Sequence, residues 1–367
     1  MMRTLTFALA GLSLSAVPLG EPGFRRYVLP IGAPTIAMVV APLDANATPD
    51  VALVIGEDNF DASLLTLNGL GDGRLQMENL AALAGIGYVD RPRMVAAELN
   101  GDELLDLAIM SVLDPILLGD GDLAYEGSGY IPTYGGQYYD LGFTDFDDDG
   151  DLDSMLFVND FGGSYLDVGT NAGDGTFAKR GFDYAPAQTA TNSRIHFADL
   201  DGDGRDEALG TGSNGLGITS NTLPAMPSVV EGSFPALLTA HLNADDALDI
   251  ALASPSTNGV VVLFNDGAGG FLAPLFVNSY GRPECIAAGD ITGNGHLDLV
   301  VANRDNSALA VLENDGAEHF TRVLRLPVSK DPIDIGLADL EADGDLDVII
   351  AGSASEELTV LLNRLVP

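Results

Sequence analysis

The sequence predicts an all-β fold, a seven-bladed β-propeller of four-stranded antiparallel blades closed by its own N-terminal strand. Three observations carry that prediction. A nine-residue acidic motif occurs seven times, with copies starting at 42, 98, 145, 199, 241, 290 and 339, about fifty residues apart. Short apolar runs flank every copy. The two ends of the chain supply the missing pieces of one unit. A repeat of this length marks a propeller or a solenoid, and four short strands per repeat decide for the propeller.

The elements of a unit follow in order. Before each loop stands an apolar run: TIAMVVAPL, RMVAAEL, YDLGFTDF, SRIHFADL, PALLTAHL, ECIAAGD and IDIGLADL. After it comes a second: DVALVI, DLAIM, SMLFV, EALGTG, DIALA, DLVVA and DVIIA. A third ends in Asn-Asp-Gly in VVVLFNDGAGGF and ALAVLENDGAEHF, turn chemistry suited to a tight hairpin. A fourth, such as FLAPLFVN, leads into the next unit. The runs are four to eight residues long, β-branched, and bounded by Gly, Asp and Asn. The last unit stops after its third strand, at LTVLLNRLVP, while GEPGFRRYVLPIG near the start reads as a fourth strand. Phe24 to Ile31 is therefore expected to pair with Leu358 to Asn363, which closes the ring and removes exposed sheet edges.

The loops carry oxygen ligands at positions 1, 3, 5 and 9, usually with Gly at 6. Hard oxygen donors at that spacing suit Ca²⁺, and Gly permits the positive φ of a sharp turn. Loop three offers Asp145, Asp147, Asp149 and Asp153, with the backbone carbonyl of Asp151 at position 7. Loop four offers Asp199, Asp201, Asp203 and Glu207, and loop seven Asp339, Glu341, Asp343 and Asp347. Metal is expected in these three. Reduced sets remain in loop two (Glu98, Asn100, Asp102, Asp106) and loop six (Asp290, Asn294, Asp298). Loops one and five lose the first ligand to Pro42 and His241. An EF-hand shares the opening of the motif but needs a bidentate Glu at position 12 and a helix on each side. Position 12 here is Leu53, Ile109, Leu156, Gly210, Leu252, Val301 or Ile350, and the flanks have strand character.

The pattern D-x-D-x-D-G-x-x-D, then an apolar strand, then V-x-L-N-D-G-x-G-x-F, resembles the FG-GAP/VCBS repeat family, whose best-known members are the integrin α-subunit propellers. Ala288 to Phe320 is a clear copy, and the resemblance spans residues 24 to 367. It implies seven blades with Ca²⁺ in the loop joining the two innermost strands of a blade. It does not imply one activity, because function is grafted onto folds.

Composition sets further bounds. The chain has 367 residues, 46% hydrophobic, with 54 acidic side chains against 16 basic and a net charge of −38. Nucleic acid and anionic membrane surfaces both reward Lys and Arg and are poor partners. Residues 1–20 read as a secretory signal: Arg3, an apolar Leu5 to Leu14, then small residues around Ser13, Ser15 and Ala16. The propeller then occupies residues 21–367. The apolar run is too short and too broken by Gly11 and Pro18 for a membrane span. Cys285 is the one cysteine, so no internal disulfide forms. Bound metal is then the expected staple of a secreted chain.

The search for catalytic chemistry finds four histidines and no HExxH, GxSxG, CxxC or P-loop. His196 falls in an innermost strand, where it can face a central channel. Trp is absent, which weakens a sugar-platform reading, and the Tyr-rich stretch Tyr125 to Phe143 reads as edge-strand and inner-strand residues of one blade or as a contact patch. The expected function is a secreted or cell-surface, monomeric, calcium-binding module that binds an extracellular protein or glycan without catalysis. A polysaccharide lyase or hydrolase on the same scaffold, and a purely structural secreted protein, are the alternatives.

Overall fold

Seven sheets of four antiparallel strands surround a central axis, each sheet in simple chain order apart from the last. The computed structural model describes residues 23–56, 62–83, 93–110, 115–131, 137–160, 163–184, 194–212, 215–219, 226–267 and 270–365. The proposed signal segment, residues 1–20, lies outside them. Among the described residues there is no helix, and so none long and apolar enough to cross a membrane.

The first strand of each blade lies nearest the axis and touches the first strands of its neighbours. These strands are Thr35–Ala41, Met94–Ala97, Gln137–Thr144, Arg194–Ala198, Leu237–Ala240, Pro283–Gly289 and Pro332–Ala338. Small residues allow the approach. At the seam between blades seven and one, a Cβ on Gly336 would stand 2.2 Å from Val40 Cγ2. The second strands, such as Asp50–Ile55, Asp298–Asn303 and Asp347–Gly352, are buried at every residue. Both faces of each are covered by adjacent blades, which explains why they read as unbroken apolar runs.

The core is accordingly divided into layers, one per seam. Leu53, Leu65, Ile349 and Val360 fill the seam between blades seven and one. Val300, Leu309, Val348 and Ile350 fill that between six and seven. Tyr139, Phe157, Leu166, Ile195 and Ala208 fill that between three and four, the smallest layer among the described residues.

The ring closes as expected. Phe24–Pro30 is the outer strand of blade seven and pairs antiparallel with Glu357–Asn363, from Phe24 opposite Asn363 to Pro30 opposite Glu357. Phe24, Tyr27, Leu29 and Ile31 are all buried.

Charged side chains at the inner strands tie neighbouring blades together. Arg93 Nε, ahead of blade two, lies 3.1 Å from Asp140 Oδ1 of blade three. Asp140 Oδ2 accepts the Ile195 N–H of blade four at 2.9 Å. Arg194 Nε donates to the Pro235 carbonyl at 2.8 Å. His196 faces the same region and its Nε2 sits 2.9 Å from Thr239 Oγ1. Burial, then the charge of Arg93, holds the imidazole below its ordinary range against the opposing charges of Asp140 and Asp206. Cys285 is a buried thiol in blade six. The Tyr-rich stretch divides between strands, with Tyr138 and Tyr139 buried and Tyr130 exposed; Tyr134 lies outside the described residues.

Two outcomes follow. Removing residues 21–31 opens the ring and strips four buried side chains, each worth roughly 1.5–3 kcal/mol. Urea unfolding of the truncated chain should show a loss of at least about 6 kcal/mol or no cooperative transition, and a midpoint equal to that of the parent would refute closure. His196 resists protonation in the folded state, so its contribution is present above the unfolded value near ~6.5 and is lost as pH falls through the lower folded value. Between pH 7 and 5 the parent should therefore lose more stability than H196Q, and parallel melting curves would remove this role.

Candidate metal loops

All seven acidic loops join the first and second strands of a blade and so share one face of the ring. Their local structure follows from the residue at position 1. In loop three the Asp145 carboxylate accepts the N–H groups of Asp149 at 3.1 Å and Gly150 at 3.0 Å. In loop four Asp199 accepts those of Gly202, Asp203 and Gly204 at 2.7, 3.2 and 2.9 Å. Asp290 and Asp339 do the same in loops six and seven. Wrapping the chain around one carboxylate needs positive φ at positions 4 and 6. Asp148 and Gly150 have φ of 59° and 97°, and Ala342 and Gly344 of 52° and 92°. Glu103, at the position that four loops fill with Gly, still adopts φ 68°. Pro42 and His241 supply no such carboxylate, and neither loop one nor loop five has a positive-φ residue.

Position 9 has a role the spacing alone did not reveal. Asp50, Asp106, Asp153, Glu207, Asp249, Asp298 and Asp347 are buried in every blade. One oxygen of each accepts the N–H of position 2, from Leu43, Leu99, Phe146, Leu200, Leu242, Ile291 and Leu340, at 2.8–3.0 Å. In six blades the other oxygen accepts an N–H from the end of the third strand, from Gly69, Gly119, Asn171, Asn265, Asn314 and Asn363, at 2.7–2.9 Å. Burial pushes Asp50, Asp106, Asp249 and Asp298 above the ordinary carboxylate range, and Asp347 to about 6, against these N–H bonds.

An Asn after the third strand, in Asn-Asp-Gly at Asn265 and Asn314, forms a second link, also missed by sequence reading. Asn171, Asn265, Asn314 and Asn363 point Nδ2 at the position-2 carbonyl of the preceding blade: Leu99, Leu200, Leu242 and Ile291, at 2.7–2.9 Å. Each also donates to its own loop, at Leu152, Leu248, Leu297 or Leu346. One buried amide thus rivets two blades. At the seam between seven and one, Gly73 N–H reaches the Leu340 carbonyl at 2.7 Å instead.

The candidate ligands gather unequally. Among the described residues, three-carboxylate groups with ligand atoms within 4.8 Å of one another occur twice: Asp145, Asp147 and Asp149, and Asp199, Asp201 and Glu207. Glu207, one methylene longer than Asp, reaches the cluster while still holding Leu200. Asp153 and Asp203 lie outside these groups. In loop three, desolvation and then the charges of Asp153 and Asp149 raise the Asp147 carboxyl, while Arg180 opposes at 3.0 Å. Asp151 donates its N–H to Asp149 Oδ1 at 3.0 Å.

The other loops turn their donors elsewhere. In loop seven Glu341 contacts Arg364, which also lies 3.7 Å from Asp343. In loop six the Asn294 amide donates to the Asn314 carbonyl at 2.9 Å. In loop two the Asn100 amide is spent on Asp102 at 3.0 Å. Beside loop four a cavity of about 280 Å³ is lined by Asp199, Asp201, Asp245, Asp246 and Asp266. The donor chemistry of loops three and four, clustered carboxylates with no nitrogen or sulfur, fits a hard divalent cation.

The Asn rivet gives a test. N314A leaves the Leu242 and Leu297 carbonyls without their donor, and buried groups left so cost about 1–3 kcal/mol. Urea unfolding should show a loss in that range, and an unchanged midpoint would show that the rivet contributes nothing.

An FG-GAP-like repeat matches residues 241–301 and 290–350, the loops of blades five, six and seven with their following strands. Comparison with curated protein sequences returns no match. Among solved structures the chain is similar to BBS1N in complex with ARL6DN, with TM-score 0.61, 15% identity and 96% and 97% of the two chains covered. It is similar to an Agrocybe aegerita lectin that recognises non-reducing terminal N-acetylglucosamine, with TM-score 0.55, 16% identity and 91% and 86% covered. It is also similar to a catalytically inactive virginiamycin B lyase from Staphylococcus aureus with quinupristin, with TM-score 0.55, 12% identity and 93% and 100% covered. At these identities the likeness is one of fold. The chain thus carries FG-GAP-like repeats in a closed ring of seven four-stranded sheets, which supports an FG-GAP repeat β-propeller.

Proposed function

We propose that the protein is a secreted, calcium-binding propeller that binds an extracellular protein or glycan without catalysis. The observation that carries the metal reading is the gathering of three carboxylates in loops three and four, on turns already shaped by Asp145 and Asp199. Ca²⁺ would supply a countercharge to carboxylates that otherwise repel one another. Asp145, Asp147 and Asp149 would hold it in loop three, and Asp199, Asp201 and Glu207 in loop four. Loop seven, with Arg364 on Glu341 and Asp343, already carries an internal countercharge. Loops two and six would follow with lower affinity.

The binding reading rests on rigidity. Every blade is fixed to its neighbour by a packed layer, and the turns between strands project from that frame. The solved propellers of similar fold include a lectin and a protein complex. The lyase likeness belongs to the alternative reading, but the His196 imidazole is hydrogen-bonded to Thr239.

Extracellular modules bind Ca²⁺ with Kd of roughly 10⁻⁴ to 10⁻³ M. At ~1 mM Ca²⁺ and a Kd of ~0.1 mM, each site adds about 1.4 kcal/mol. Melting in excess chelator should therefore fall clearly below melting in 1 mM Ca²⁺, with poor rescue by Mg²⁺, which wants a smaller octahedral shell. D145N with D199N should abolish the difference. Equal melting temperatures with and without chelator, and no metal by elemental analysis, would leave the loops as acidic turns.

A further inference from the structure

The face of the ring opposite the acidic loops has different chemistry. There the turns between second and third strands and the connections between blades surround a cavity of about 740 Å³, spanning blades five, six and seven. That volume lies within the usual range for small-molecule sites. Arg282, Glu284, Arg304, Asp305 and Asp331 line it together with serine and proline. In a chain with 16 basic residues, two arginines in one cavity are a concentration of cationic donors.

Most of the charges are paired and held. Arg304 grips both oxygens of Asp331, with Nη2 to Oδ2 at 3.1 Å, and lies 3.7 Å from Glu284. Ser353 Oγ donates to Asp331 Oδ2 at 2.6 Å. Asp305 Oδ1 accepts the backbone N–H of Arg282 at 3.0 Å. The Arg282 guanidinium itself is exposed and has no partner among the described residues. A ligand of either charge sign meets its own sign in such a lining. A hydroxyl both donates and accepts, so adjacent hydroxyls match adjacent carboxylate and guanidinium groups.

A second observation points the same way. Tyr280, two residues before Arg282, has φ 60° and is 59% exposed. A bulky side chain at positive φ is a true outlier, and such strain gathers at functional positions. Asn278 Oδ1 accepts the Tyr280 N–H at 2.6 Å and Asn306 Nδ2 donates to its carbonyl at 3.0 Å, fixing the conformation. Arg322 stands 4.0 Å from the ring centroid over one face. The electron-rich opposite face is suited to the polarised C–H groups of a pyranose.

We propose that this cavity binds neutral sugar units of a glycan, with Arg282, Arg304, Asp305 and Asp331 on the hydroxyls and Tyr280, outside the lining but two residues from Arg282, as an adjacent stacking platform. The proposal rests on the reading of the protein as a binding module and selects its ligand class and face. The net charge of −38 argues for neutral rather than polyanionic sugars.

The test is an array of neutral hexose and N-acetylhexosamine oligosaccharides beside uronic acid oligosaccharides, probed with the full chain in Ca²⁺, followed by calorimetric titration of the best neutral sugar. R282A and Y280G should each weaken binding at least tenfold with melting temperature within a few degrees of the parent, while R282K should retain part of it. No neutral sugar bound at millimolar concentration, preference for uronic acids, or titrations unmoved by R282A and Y280G would overturn the proposal. A chain that melts lower in chelator yet binds no sugar would overturn the sugar site and leave the calcium-binding reading standing.

Discussion

The structure depends on a buried carboxylate held by two backbone N–H groups. The ninth residue of each loop is acidic in all seven copies, whereas the first is lost in two and the central Gly in three. That hierarchy has a physical origin. A carboxylate removed from water is costly unless hydrogen bonds compensate it. Here one oxygen holds the loop entrance and, in six blades, the other holds the end of the third strand. The acid therefore joins three strands of a blade at one point, where the backbone leaves regular pairing and its N–H groups need acceptors. The turn then presents positions 1, 3 and 5 whether or not a cation is bound.

Much of this architecture was legible from sequence because its determinants are local or periodic. The seven-fold register, four strands per unit and closure by Phe24 to Ile31 all rest on short apolar runs and turn residues that repeat. The positive φ at position 6 was legible as Gly, and Glu103 shows the backbone demand persisting where the residue departs. The Asn rivets were not legible. Asn314 reads as an ordinary hairpin residue and Asn363 as the end of the closing strand, and their partners lie in the preceding blade, 72 residues back. The Arg364 contact was hidden for a related reason, since nothing near Glu341 in the sequence marks a basic partner from the chain end.

The loops share a motif but not an electrostatic solution. Loop three leaves Asp145, Asp147 and Asp149 close together, and desolvation with the charges of Asp153 and Asp149 raises the Asp147 carboxyl. Loop four uses a longer Glu207 to do two tasks at once. Loop seven supplies a guanidinium from its own third strand's end, and loop six turns an amide onto the backbone. Loops one and five, without the first carboxylate, take another backbone path. A ligand count along the sequence weights these loops by formal charge. The folded chain weights them by which oxygens remain available after backbone donors and arginines have been satisfied.

The two faces thus divide the work of the ring. Turns on the acidic face are committed to fixing strand ends and blade seams, and their side chains are largely spent on that. Turns on the opposite face also tie blades together, as Arg304 does with Asp331 and Asp305 with the Arg282 N–H, but they do so with fewer carboxylates. Such turns can hold a bulky residue such as Tyr280 at positive φ and leave a guanidinium such as Arg282 unpaired. The Tyr280 conformation is held by Asn278 and Asn306, part of the frame beneath it. That is the condition under which a rigid scaffold lends its surplus stability to recognition.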